Sequence, residues 1–141
     1  MASAVEIHRK AHEAFNTRDW ETMRSLSASD MSYEDNPRAS SIKSYDQFQE
    51  WLQEWTTGMS DAAVTEVQYI DGGDYSIARF RGRGTNDGQM GPIQATGRRM
   101  DMPFCEILHV SPDGKIDRGE LYYDQLTMLV QFGVMEQPPT G

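Results

Sequence analysis

Cysteine is almost missing from these 141 residues: Cys105 stands alone, so no disulfide framework holds the fold. Long hydrophobic runs are missing too, and a stretch such as Leu126 to Val130 is far too short to cross a bilayer. The opening Met1-Ala2-Ser3-Ala4-Val5-Glu6 has neither the basic start nor the apolar core of a secretory signal, which leads us to expect a cytoplasmic protein. Basic residues are scarce, 13 Lys plus Arg against 22 Asp plus Glu, for a net charge of −9. Neutralising a phosphate backbone needs clustered cations, so no nucleic-acid partner is expected. The acidic excess is spread evenly, with six basic and ten acidic groups in residues 1–60 and seven and twelve in residues 61–141, so there is no acidic tail. Motifs are lacking as well. There is no Gly-x-Ser-x-Gly elbow, P-loop, His-Glu-x-x-His or paired Cys-x-x-Cys, and no cofactor is expected.

What is present is enough chain for one domain with a real core. The first 60 residues read mainly as helix and most of the rest as strand with Gly-rich turns, a segregation that argues for an α+β fold. Ala4, Ile7, Ala11, Ala14 and Phe15 share one face of a first helix over about residues 3–16. Asp19 is placed to cap a short second helix carrying Trp20, Met23 and Leu26, and a short extended piece, residues 31–36, runs into Pro37. Ser44 and Gln47 form a capping-box pattern ahead of the stripe Tyr45, Phe48, Leu52, Trp55 and Met59, with Gly58 near its end. Strands are expected at 64–70 and 75–83 around the turn Asp71-Gly72-Gly73-Asp74, then at 98–110 and 116–123 around Ser111-Pro112-Asp113-Gly114. A short helix over 125–132 and a frayed tail over 136–141 complete the chain.

His8 and His12 stand at i, i+4, a spacing that can bring two imidazoles to one metal, but both border the apolar face of the first helix and packing there is the reading adopted. No metal site is expected. Arg79, Arg81 and Arg83 share one strand face, either as a clamp for an anion or, the reading favoured, as a solvated or subunit-facing row. The carboxylates of the last two strands carry more chemistry. Met102, Phe104, Glu106 and Leu108 have one parity; Ile116, Arg118, Glu120, Tyr122 and Asp124 have another. Pairing of the two strands would let Glu106 and one or both of Glu120 and Asp124 look into the same apolar concavity. Burial and like charge would then push their pKa values upward, toward general acid or base work. The alternative is that Glu120 pairs with an arginine and Asp124 caps the helix that follows it.

The succession "YEDNP", "RGRGTNDGQMGPIQATGRRM", "CEILHVSPDGKI" and "ELYYDQLTMLVQFG", behind two helices and an aromatic one, resembles the SnoaL-like polyketide cyclases of the nuclear-transport-factor-2-like superfamily over about residues 3–135. The resemblance implies one domain over 1–135, a cone-shaped, curved and mostly antiparallel sheet packed against the N-terminal helices, and one enclosed apolar pocket. It implies a cofactor-free enzyme acting on a hydrophobic, carbonyl-bearing small molecule by intramolecular aldol closure. Asp124 matches the family's acid/base aspartate, and Asn36 matches an Asn that lines the pocket. Glu106 stands where the cyclases carry an assisting His, and is expected to be protonated and to hydrogen-bond the developing enolate. Glu120 and Tyr122 would join the substrate contacts, and Phe15, Trp20, Phe48 and Trp55 would wall the cavity. The steroid-isomerase branch fits poorly, because Ala11 and Asn36 stand where it needs a Tyr and an Asp. Epoxide opening or isomerisation in the same pocket, and simple binding without chemistry, are the alternatives. A homodimer through the outer sheet face, at Cys105, Ile107 and His109, is also implied.

Overall fold

Three helices form where the sequence supplies both a cap and an apolar stripe. In the computed structural model, which describes residues 2–139, α1 (Ala4–Thr17) begins at Ser3, whose hydroxyl accepts from Glu6 N–H. It buries Ile7, Ala11 and Ala14, together with His8 and His12. The helix α2 (Trp20–Ser25) is capped by Asp19, which accepts from Thr22 N–H. Ser44 opens α3 (Tyr45–Gly58), whose Tyr45, Phe48, Trp51, Leu52 and Trp55 are buried.

The strands β1 (Ser27–Asp35), β2 (Ser40–Ile42), β3 (Ala63–Gly72), β4 (Tyr75–Thr85), β5 (Arg99–Val110) and β6 (Ile116–Tyr122) form one six-stranded sheet in the order β2-β1-β6-β5-β4-β3. Only β1 and β6 pair in parallel; the other neighbours are antiparallel. The sheet curls over the helices without closing, with α1 against β3, β4 and β5 and α3 against β1. A last helix, α4 (Gln125–Gln131), packs on β5. The expected α+β cone is therefore the observed architecture. Residues 136–139 have no regular structure, and residues 140 and 141 of the expected tail lie outside the described residues.

The sequence under-reads β1. Residues 31–36 look like a short extended piece, yet a nine-residue strand forms, burying Met31, Tyr33 and Asp35 on one face. Its stability comes from the parallel ladder with β6, a pairing across more than eighty residues that local propensity does not carry. Where the two meet, Gly119 lies opposite both Tyr33 and Leu108. A Cβ there would stand 2.6 Å from Leu108 Cδ2 and 2.6 Å from Tyr33 Cδ2. Gly119→Ala is expected to destabilise the protein by about 1–3 kcal/mol through overpacking, read as a lowered urea midpoint at unchanged slope.

Candidate active site

Inward-facing positions of β4, β5 and β6, with α1 and α3, enclose an apolar pocket. Its volume is about 90 Å³. Phe15, Phe48, Trp55, Phe80 and Phe104 supply much of its wall. Three polar residues interrupt this lining: His12 and Glu106, which are hydrogen-bonded to each other, and Arg83.

Glu106 is on the inner face of β5 because it shares parity with Phe104 and Leu108. His8 and His12 come from the face of α1 that lies on the sheet. Both rings reach the same oxygen: His8 Nε2 and His12 Nε2 each lie 2.8 Å from Glu106 Oε1. The Tyr33 hydroxyl donates to Glu106 Oε2. Two further hydroxyls complete the set, with Ser76 Oγ 2.8 Å from His8 Nδ1 and Tyr69 Oη 2.8 Å from His12 Nδ1. An ionised carboxylate only accepts, so each Nε2–H donates to Glu106; a neutral ring then accepts at Nδ1 from its hydroxyl.

Burial by itself would raise the Glu106 pKa, but the hydrogen bonds from His12 and His8 outweigh it and hold the carboxyl well below the usual range. Glu106 is therefore an anion, which corrects the expectation of a neutral acid. Burial lowers the His8 pKa, so this ring, with no exposed surface, is a neutral support behind the pocket. Tyr33 is pushed well above the ordinary phenol range by burial and by Glu106, and remains a donor.

A second buried polar group braces the aromatic wall. Asp35 Oδ2 accepts from Arg38 Nε at 2.8 Å, Trp51 Nε1 at 3.0 Å and Tyr123 Oη at 3.2 Å. Arg38 also donates to Glu54 at 2.6 Å.

The model of the SnoaL-like polyketide cyclases matches residues 5–132. The chain belongs to this family. Solved structures agree in fold. A protein of Pseudomonas putida described as a candidate polyketide cyclase superposes with a TM-score of 0.83 at 19% identity, over 93% of this chain and 98% of that one. IdmH of Streptomyces antibioticus, also a candidate polyketide cyclase, gives 0.78 at 27% identity, over 92% and 97%. AclR of Streptomyces galilaeus, a candidate hydroxylase, gives 0.80 at 19% identity, over 95% and 83%. Comparison with curated proteins yields no match.

Set beside the residues that the family resemblance implies, the geometry redistributes the roles. Phe15, Phe48 and Trp55 line the pocket, and Trp20 stands behind Phe15, ring centroids 6.3 Å apart. Asp124 does not reach the pocket. It is exposed and caps α4, accepting from Leu126 N–H at 3.0 Å and Thr127 Oγ1 at 2.8 Å. Glu120 and Tyr122 are on the opposite side of the sheet from Glu106. The cross-strand partner of Glu106 is Leu121, and Glu120 pairs with Ile107. The cause is a bulge: Val110 pairs with Ile116 but His109 with Arg118, so one extra residue flips the parity of β6 after Ile116. Asn36 is likewise one position out of phase. It is exposed, with Nδ2 3.4 Å from Leu121 O, and Asp35 is the residue that points inward. His12, His8 and Tyr33 are the site residues that the sequence reading missed, although the i, i+4 histidines were a visible signal. In the arginine row Arg81 lies 2.7 Å and Arg83 3.2 Å from Asp101, and Arg83 also borders the pocket. Among the described residues no helix is long and apolar enough to cross a membrane.

Proposed function

We propose that the protein is a cyclase-type acid/base enzyme that acts on a hydrophobic, carbonyl-bearing small molecule, with His12 and Glu106 as the working pair. The observation that carries this is the placement of one carboxylate–imidazole pair on a largely apolar pocket. Glu106 fixes the His12 tautomer and stabilises the imidazolium that forms when the ring takes a proton. The base is the lone pair of His12 Nδ1, covered at rest by the Tyr69 hydroxyl. A proton α to the substrate carbonyl passes to the ring, the resulting enolate closes on a second carbonyl, and the ring returns the proton to the new alkoxide. The apolar wall excludes water, which would otherwise quench the enolate. The 27% identity to IdmH over nearly the whole chain supports a reaction of this class.

The test needs no knowledge of the natural substrate. An aromatic 1,3-diketone incubated with the protein in D2O is expected to gain α-deuterium faster than the buffer control, followed by proton NMR. Saturable binding of the diketone with no accelerated exchange would favour a binding domain instead. Asp124→Asn keeps a good helix cap, so this variant is expected to melt and to exchange like the parent. A folded Asp124→Asn protein without exchange would return the acid/base role to Asp124.

A further inference from the structure

We infer that His8, His12 and Glu106 also form a site for one first-row divalent cation of the zinc type. This goes beyond the acid/base reading and does not rest on it, although the two share side chains.

The donor atoms of the three residues all lie within 4.8 Å of one another. Both Nε2 atoms aim at the same point, Glu106 Oε1, from 2.8 Å. Tetrahedral bonds of about 2.0–2.2 Å set neighbouring ligand atoms roughly 3.3 Å apart, so the carboxylate must swing back from the point where the two rings converge to admit an ion. Two neutral imidazoles and one carboxylate suit zinc, cobalt or nickel, whereas magnesium and calcium demand oxygen ligands.

The surroundings are those of a built site. Each imidazole has a hydroxyl on its far nitrogen, Ser76 for His8 and Tyr69 for His12. When Nε2 binds an ion, the single ring proton moves to Nδ1 and donates to that hydroxyl. Such outer partners orient ligating histidines. Tyr33 holds the other carboxylate oxygen, leaving Oε1 for the ion. His8 and Ser76 have no exposed surface, so the ion would be closed off from behind. His12 and Glu106 line the pocket, so its fourth position would open there. A carbonyl oxygen of a pocket ligand is the group that this position would take.

The probe is Co2+, added to protein first stripped with a chelator. One equivalent is expected to produce the intense visible bands of a tetrahedral nitrogen–oxygen site, and Zn2+ is expected to displace it. Zn2+ is also expected to raise the melting temperature of the parent. Glu106→Gln and His12→Gln should abolish the bands while keeping the parental circular dichroism. Ser76→Ala should weaken binding about 10-fold or more, as loss of an outer partner does. His109→Gln should change nothing, because the third histidine lies on the outer face beside Asp117. Absence of the bands at excess Co2+, or bands that survive in both Glu106→Gln and His12→Gln, overturns the site. Deuterium exchange is measured separately on the stripped protein, so failure of the metal site and failure of the acid/base pair are read in different experiments.

Discussion

Glu106→Gln is expected to abolish enzyme-dependent α-deuterium exchange, lowering the rate by about 10²–10⁴-fold, the span that general acid–base groups supply. The substitution is close to isosteric. The amide oxygen can still accept from both Nε2–H groups, and the Tyr33 hydroxyl can turn to accept from the amide nitrogen. What disappears is the charge. Without it the His12 imidazolium, surrounded by Phe80 at a centroid distance of 5.2 Å and the remaining apolar wall, has no counter-ion when it forms. The variant should therefore fold, bind the diketone with near-parental affinity and lose turnover, a separation that a general loss of structure would not give. A Tyr33→Phe companion removes one donor to the carboxylate and leaves the charge, so its exchange rate should fall less than that of Glu106→Gln. Parental exchange in Glu106→Gln would remove the carboxylate from the mechanism.

Most of the fold was legible because its signals are local. Asp19 and Ser44 are side-chain caps within one turn of the groups they satisfy, and the Asp71–Asp74 turn carries Gly73 at φ 75. The site was less legible because it depends on parity, which is a non-local property. Met102, Phe104, Glu106 and Leu108 keep a strict alternation and were correctly placed on one face. The same counting failed on β6, where one bulge residue beyond the Ser111–Gly114 turn reversed every later side chain, and this moved Glu120 and Tyr122 outward. The match to the family's pocket Asn failed separately at Asn36, the first residue past β1, one step beyond the inward Asp35. The histidines pack on the helix face as read, but their carboxylate partner was missed for a different reason. An imidazole on an apolar helix face is most often packed, and only the register of β5 against α1 shows that a carboxylate meets both rings. A bulge and a helix-to-sheet register are set by the whole chain, so spacing within one element does not determine them.

Removal of the Arg38 charge is expected to have the largest effect on stability. Asp35 is fully buried, and its second oxygen, Oδ1, has no hydrogen-bond partner. Arg38, with its side chain 21% exposed, is the cation that makes this carboxylate tolerable. In Arg38→Met the stem still packs, but the anion keeps only the Trp51 and Tyr123 donors. Breaking a buried pair from one side costs about 3–5 kcal/mol; the two remaining donors favour the lower end. A loss of about 3 kcal/mol corresponds to a melting temperature roughly 10 °C lower for a domain of this size. The double variant Asp35→Asn with Arg38→Met is expected to recover part of that loss, because the stranded charge is gone, and the cycle of four proteins isolates the pair. The consequence reaches the pocket. Trp51 is held by its bond to Asp35, and the Arg38 guanidinium lies 5.4 Å from the centre of the Trp55 ring. Both aromatic rings belong to the pocket wall. Arg38→Met is therefore expected to weaken binding of the aromatic diketone at temperatures where the variant is still folded, measured by tryptophan fluorescence. Unchanged affinity and an unchanged melting temperature would show that Asp35 is held by its neutral donors alone.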